Sequence, residues 1–171
     1  MKPSLAAVGI LSLFIFFGCV NPVTSTPAAV KPPASEVASF RIQFGADSSV
    51  DASTINPQLS AWSSGLNTWP KTFTSTSGKI SQVYSGPPGT FPLTVTTTFI
   101  NFVSGSYTIN GSAATAMSTS STGTGTGTLT LTGGDISTIV INTAVTNSVV
   151  TSTYGWTVNG YPFNLATNTY Q

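Results

Sequence analysis

Four carboxylates are the only acidic side chains in this chain, so any acid–base chemistry would have to begin with them: Glu36, Asp47, Asp51 and Asp135. Two of them facing one bond could hydrolyse a glycoside, because that reaction needs a pair of carboxyl groups. Asp47 and Asp51 are also close enough in sequence to suggest calcium ligands. Their segment lacks the alternating oxygen donors and the closing Glu of a calcium loop, however. We expect these two acids to cap turns or a short helix, and we expect no metal site.

Other catalytic side chains are scarce. The chain has no histidine, which removes triads and metal sites that depend on imidazole. Its single cysteine, Cys19, cannot form a disulfide within the chain or a cysteine-based zinc site. Serines are abundant, but no serine stands three residues before a lysine that could act as its base. We therefore expect a protein that is not an enzyme and has no cofactor, with a hydrolase using Asp47, Asp51 and Asp135 as the third alternative.

Aromatic side chains are the best candidates for contact with a neutral ligand. They can stack on a sugar or line an apolar pocket, and each is equally suited to fill the core of a small domain. The five candidates are Trp62, Trp69, Tyr84, Trp156 and Tyr161. If they surround a cavity, the protein would be a carrier or binding module for an apolar small molecule or a neutral glycan.

The first nineteen residues have the pattern of an export signal. Lys2 is followed by an uncharged, mostly apolar run from Leu5 to Phe17, which stops at Gly18 and Cys19. At roughly 1.5 Å per residue this run is short for a hydrocarbon core of about 30 Å. Its length is that of the apolar region of a signal peptide. An uncleaved anchor helix with an incidental cysteine is the alternative.

A small residue directly before a cysteine resembles the lipobox of bacterial lipoproteins, in which the thiol is acylated and becomes the mature N-terminus. The resemblance covers residues 1–19. Phe16 and Phe17 depart from the strict pattern, because Leu and a small residue are usual there; relaxed forms occur in spirochaetes among others. The resemblance implies a signal peptide at 1–18, a lipid on Cys19, and attachment to the outer membrane or cell surface rather than the inner membrane.

Behind the cysteine, residues 19–35 contain four prolines and no hydrophobic period. Such a segment favours extended polyproline II, so it predicts a tether. Residues 36–171 have the length of one domain. Thr, Val, Ile and aromatic residues dominate there, and this composition favours strands.

The strand pattern predicts an all-β fold, an antiparallel meander that forms a barrel or a sandwich. A first strand is expected over Val37–Phe44, and residues 47–70 are expected to hold one short helix, a long loop, or both. Asn110-Gly111 and Asn159-Gly160 predict two hairpin turns. Residues 91–164, with strands that run into such turns, resemble uncharacterised bacterial surface lipoproteins.

Charged residues are only 5% of the chain, against about a quarter in ordinary soluble proteins. After Lys79 the one charged residue is Asp135. Without a basic patch, nucleic acid is not an expected partner. The partner should be neutral: a ligand, a protein, or a second copy paired through uncharged strand edges, since edge lysines are the usual protection against such pairing.

Threonines alternate from Thr122 to Thr132, so they project from one face of a strand. A solvated face is the favoured interpretation, with an ice-binding array as a remote alternative. We expect a lipid-anchored envelope protein with a non-catalytic structural or adhesion-like binding role.

Overall fold

The computed structural model describes residues 30–63, 68–146, 149–150 and 155–171. The predicted signal peptide and most of the predicted tether, Cys19 included, lie outside these residues. The described part contains two helices and ten strands. These are α1 (Ala34–Ser53), α2 (Asn56–Ser63), β1 (Lys71–Thr74), β2 (Ile80–Tyr84), β3 (Leu93–Ser104), β4 (Tyr107–Met117), β5 (Gly123–Thr132), β6 (Thr138–Thr146), β7 (Val149–Val150), β8 (Gly155–Val158), β9 (Tyr161–Asn164) and β10 (Thr169–Tyr170).

All the strands belong to one antiparallel sheet, and nine of them follow each other in the order β1-β2-β3-β4-β5-β6-β8-β9-β10, with β7 paired to β6. The predicted all-β class and the meander are confirmed. The sheet is not closed into a barrel, because the end strands β1 and β10 are not paired with each other. Each end strand is short, four residues in β1 and two in β10.

The strand predicted over Val37–Phe44 is wrong, because these residues form the first half of helix α1. Their alternating Phe40, Ile42 and Phe44 suggested a period of two. The buried positions are instead Val37, Phe40 and Phe44, whose spacings of three and four residues place them on one side of a helix. The helix begins at Ala34, two residues before the expected start of the domain.

The stretch from 47 to 70, where the sequence shows no sustained period, is largely helical. Its first residues complete α1, and α2 supplies the predicted short helix. Ile55 and Leu59 are fully buried, so the turn between the helices and the start of α2 contribute to the core. Residues 64–67 lie outside the described residues.

One of the two Asn-Gly turns is confirmed and the other is wrong. Asn159 and Gly160, with φ of 50° and 86°, connect β8 to β9 in the two-residue hairpin that Asn-Gly favours. Asn110 and Gly111 lie inside β4. There the side-chain oxygen of Asn110 accepts the N–H of Asn101 at 2.8 Å, and the register of β3 against β4 shifts by a β-bulge.

Helix α1 lies across the ends of the strands, on the inner face of the sheet. Phe40 contacts Tyr107 and Trp156, at ring distances of 5.1 and 6.5 Å, and Phe44 contacts Phe99 at 5.1 Å. At about 1.5 Å per residue a 20-residue helix is about 30 Å long, enough to cross some six strands spaced about 4.8 Å apart. The helix therefore covers one end of the inner face and leaves the outer face open.

Candidate functional site

The acidic side chains of α1 are turned towards hydroxyl groups at the strand ends. Ser104 donates to Oδ2 of Asp47 at 2.8 Å. Ser75 and Ser77, in the turn between β1 and β2, donate to Oδ2 of Asp51 at 2.9 and 2.8 Å. These bonds attach the helix to the sheet at two points, and they occupy the two carboxylates that the sequence suggested for calcium or for catalysis.

A third attachment joins Glu36, in the first turn of α1, to Tyr107, the first residue of β4. The Tyr107 hydroxyl donates to Oε1 of Glu36. Burial, and after it the hydrogen bond to Glu36, raise the pKa of Tyr107 to about 12. The phenol is therefore neutral at physiological pH and remains a donor. No group of three or more metal-ligating side chains occurs in the part of the chain that the structure describes.

The five aromatic candidates are distributed over three places. Tyr84 and Trp156 are buried in the core, and burial raises the pKa of Tyr84 to about 12. Trp69 lies near Tyr84, with ring centroids 6.5 Å apart. Trp62 carries the Lys71 ammonium over its ring at 4.1 Å. Tyr161 contacts Tyr170 at 6.2 Å, at the other end of the sheet. Among these contacts, one joins two of the candidates, Trp69 and Tyr84, and that pair packs as part of the core.

A small cavity lies on the inner face between β4, β5 and β6, and none of the five aromatic candidates lines it. Thr115, Gly123, Gly125 and Thr143 are among the residues around it, and its volume is about 10 Å³. That is room for about one water molecule. Oγ1 of Thr115 is buried there without a hydrogen-bond partner. The cavity suits a bound water rather than an organic ligand.

The outer face of the sheet carries uncharged side chains in rows that run from strand to strand. In the central row, Thr98 of β3 is paired with Ser112, Ser112 with Thr128, and Thr128 with Val140 of β6. Adjacent strands are about 4.8 Å apart and successive rows about 6.7 Å apart. The row extends to Ser81 of β2 and Thr157 of β8. We call the outward residues of β2–β6 the outer face.

Two further rows of the outer face lie parallel to the first. Thr96, Ala114, Thr126 and Asn142 form one of them through the same strand pairings. The other is formed by Thr94, Ala116, Thr124 and Ala144. From Thr124 to Thr132 the threonines of β5 are exposed, as the alternation predicted. The outer face includes no Asp, Glu, Lys or Arg, because the one charged residue after Lys79 is Asp135, which lies in the loop between β5 and β6.

Sequence reasoning found the threonines of β5 but missed the face they belong to. The pattern of β4 was hidden because Asn110-Gly111 was interpreted as a turn. Once β4 is a single strand from Tyr107 to Met117, its Ser112, Ala114 and Ala116 fill the space between the threonines of β3 and β5. Threonine strands are consequently separated by strands of smaller side chains, and the face is not a continuous threonine array.

Sequence reasoning also missed the role of Asn159 beyond its turn. Its amide nitrogen donates to the carbonyls of Val30 and Asp135, at 2.9 and 2.7 Å. Its side-chain oxygen accepts the N–H groups of Ser137 and Thr138, at 2.8 and 3.0 Å, and the Ser137 hydroxyl at 3.0 Å. One amide thereby joins Val30, in the segment before α1, to the β5–β6 loop and the β8–β9 turn.

No helix among residues 30–63 and the later described segments has the length and apolar character needed to span a membrane. Comparison of the chain with protein-family models, with curated proteins and with solved structures finds no match to any of them.

Proposed function

We propose that this chain is a lipid-anchored protein of the cell envelope, with a non-catalytic structural or adhesion-like role, which binds a neutral partner through the outer face. The single observation that carries the binding role is the set of uncharged rows across β2–β6. The anchor is supported by the signal-like residues 1–18 and by Cys19 directly after them.

The chemistry of the outer face suits a neutral partner. Burying a charge is costly unless it is paired, and the outer face has no charge to desolvate. Its Thr and Ser hydroxyls can both donate and accept, so they can replace bonds to water with bonds to a glycan or to another protein. Because the outer face has no charged residue, two copies brought together through it would not repel each other electrostatically.

The strand edges favour this face over edge-to-edge association. Short edge strands are one of the ways in which sheets avoid pairing with other chains. At one end of the sheet β1 has four residues and is preceded by Pro70, and at the other end β10 has two. Association of copies is therefore proposed through the outer face rather than through the edges.

The other two candidate functions have less support. A carrier needs an internal space, and the cavity described between β4 and β6 has room for about one water. A hydrolase needs two carboxyl groups that face a substrate. Asp47 and Asp51 instead accept hydrogen bonds from Ser104, Ser75 and Ser77.

The anchor is tested by growing cells that express the full chain with a labelled fatty acid. The wild-type protein should incorporate the label, and Cys19→Ala should lose it, because the thiol is the proposed site of acylation. Ser4→Ala, elsewhere in the signal-like segment, is the matched control and should keep the label. Equal labelling of the wild type and Cys19→Ala would disprove the anchor.

The outer face is tested by adding two positive charges at its centre. The double variant Thr126→Lys/Thr128→Lys should lose self-association, or binding to the uncharged glycan chitin, by about tenfold or more, because two desolvated charges oppose contact with a neutral surface. Sedimentation of the full-length protein in neutral detergent measures the first, and co-sedimentation with chitin measures the second.

The matched control places the same charges in the exposed turn between β4 and β5, as Thr119→Lys/Ser120→Lys. This variant should behave as the wild type. If both double variants bind equally well, or if the wild type neither self-associates nor binds chitin, the outer face does not have the proposed role.

A further inference from the structure

The outward side of helix α1 is uncharged and carries two large aliphatic side chains. Ile42 is 68% exposed and Val50 is 72% exposed. The exposed residues of the helix are Ser35, Ser39, Ile42, Gln43, Ala46, Ser49, Val50 and Ser53. Since the buried Phe40 and Phe44 lie on the opposite side, α1 has apolar residues on both sides. A helix that packs on a sheet with one side needs apolar residues only there, so the outward pair has no role in the core.

The charged residues of α1 are bonded within the domain, and Asp47 also accepts hydrogen bonds from Nε2 of Gln43, an exposed residue of the outward side, at 2.9 Å to each oxygen. Glu36, Asp47 and Asp51 bond to hydroxyl groups of the sheet and its turns. Arg41 donates from Nη1 to the carbonyl of Leu165 at 2.6 Å. The helix thus has four ionisable side chains, and all four are directed to partners within the domain. The outward side is left free to contact an uncharged or zwitterionic surface without desolvating an ion.

The tether reaches the domain beside this helix. Val30 is held through its carbonyl by Asn159, and Lys31 places Nζ 4.6 Å from the centre of the Tyr170 ring. Helix α1 begins three residues after Lys31, at Ala34. Between Cys19 and Val30 there are ten residues, 20–29. The eleven Cα–Cα steps from Cys19 to Val30 span at most about 40 Å, because a fully extended chain rises at most about 3.6 Å per residue. A lipid on Cys19 therefore keeps Val30, four residues before the start of α1, within about 40 Å of the bilayer.

We infer that the outward side of α1 rests on the surface of the bilayer that holds the lipid anchor, with Ile42 and Val50 inserted among the lipid headgroups. This inference rests on the proposed anchor at Cys19. The contact is small, and two aliphatic residues would not hold a free protein on a membrane. A short tether changes this, because it raises the effective concentration of the contact to the order of millimolar. The outer face of the sheet then remains available to a partner.

The test uses the full-length lipoprotein in vesicles of zwitterionic phosphatidylcholine with brominated acyl chains. A bimane fluorophore is attached to an introduced thiol in each of three variants, Ile42→Cys, Val50→Cys and Thr128→Cys. The third is the matched control on the outer face. The wild type is the labelling control, because an acylated Cys19 has no free thiol. Flotation of the vesicles on a density gradient shows whether the protein is anchored.

Fluorophores at the Ile42→Cys and Val50→Cys positions should be quenched by the brominated lipid at least about twofold more than the fluorophore at Thr128→Cys. Bromine on the acyl chains quenches only a fluorophore that lies close to it, and an inserted helix side reaches the boundary between headgroups and acyl chains. Iodide dissolved in the water should instead quench the fluorophore at Thr128→Cys more than the two on the helix. Equal quenching of all three by lipid would overturn the contact while leaving the anchor intact.

Two other results would also overturn the inference, and they separate its failure from that of the anchor. If the two helix positions are protected from iodide but not quenched by lipid, a second protein molecule covers α1. If the protein does not float with the vesicles, the proposed anchor fails and the contact fails with it.

Discussion

Asn159 connects three segments of chain with one side-chain amide, and it does so in a left-handed conformation with φ of 50°. It is only 8% exposed, so the groups that it bonds have little access to water. A buried donor or acceptor that loses its partner costs about 1–3 kcal/mol. This residue should therefore matter much more to stability than an ordinary hairpin asparagine.

Replacement of Asn159 by glycine distinguishes the contribution of the side-chain amide to stability from that of the backbone conformation. Asn159→Gly keeps the positive φ without strain and removes the hydrogen bonds, so it should lower the free energy of unfolding by about 2–4 kcal/mol. Asn168, with φ of 54°, provides the control, since its Oδ1 accepts no hydrogen bond in the described part of the chain. Asn168→Gly should change stability by less than about 0.5 kcal/mol. Urea unfolding measures both, and similar losses would mean that the amide contributes little.

At the scale of elements, the helix and the central strands respond differently to an added methyl group. Gly45 lies in the middle of α1, and a Cβ there meets no atom within 4 Å. Gly127 lies in β5, where a Cβ would come within 2.5 Å of Cα and 2.8 Å of Cβ of Ala113 in β4. The close approach of β4 and β5 thus depends on this glycine, whereas the path of α1 does not depend on Gly45.

We predict opposite effects for the two alanine substitutions. Gly45→Ala should raise the free energy of unfolding by about 0.5–1 kcal/mol, because alanine is the better helix former. Gly127→Ala should lower it by about 1–3 kcal/mol, because the strands must separate to admit the methyl group. The shift of the urea midpoint at unchanged slope gives both values. Stabilisation by Gly127→Ala would show that β4 and β5 are not packed as described.

The same elements show what the sequence could and could not predict. The all-β meander was predicted because strands such as β2, β3, β5 and β6 have one buried side and one exposed side, which leaves a period of two in the sequence. Helix α1 was missed because exposed Ile42 supplies a false alternation with Phe40 and Phe44. The side chain of Ile42 has no role in the core, so rules of core packing do not predict where it lies.

The outer face was predictable only in part. Alternation within β5 shows that its threonines share one side, but the rows depend on the register of five strands. The register of β3 on β4 includes a bulge that Asn110 stabilises by accepting the N–H of Asn101. A one-residue change of register moves every side chain to the other face. Such a bulge has no signal in the sequence beyond an Asn-Gly pair that also favours a turn.

At the scale of the whole molecule, the two sides of the domain differ in their chemistry. The acids of α1 bond to the sheet, the outward side of α1 carries Ile42 and Val50, and the sheet presents Thr, Ser, Ala, Asn142 and Val140 on its other side. Four of the eight charged residues that the structure describes attach α1 to the rest of the domain. The outer face and the outward side of α1 contain no charged residue.

The attachment of Val30 to Asn159 also determines how the domain would respond to mechanical force. A pull along the tether enters the fold at that hydrogen bond and at the contact of Lys31 with the Tyr170 ring. From there the load is divided between the β8–β9 hairpin and the β5–β6 loop, because the Asn159 side chain is bonded to both. The central strands β3, β4 and β5 lie beyond these points. Because the chain continues from Val30 through Lys31 into α1, these two contacts would break first and pass the load to the helix, while the outer face keeps its register.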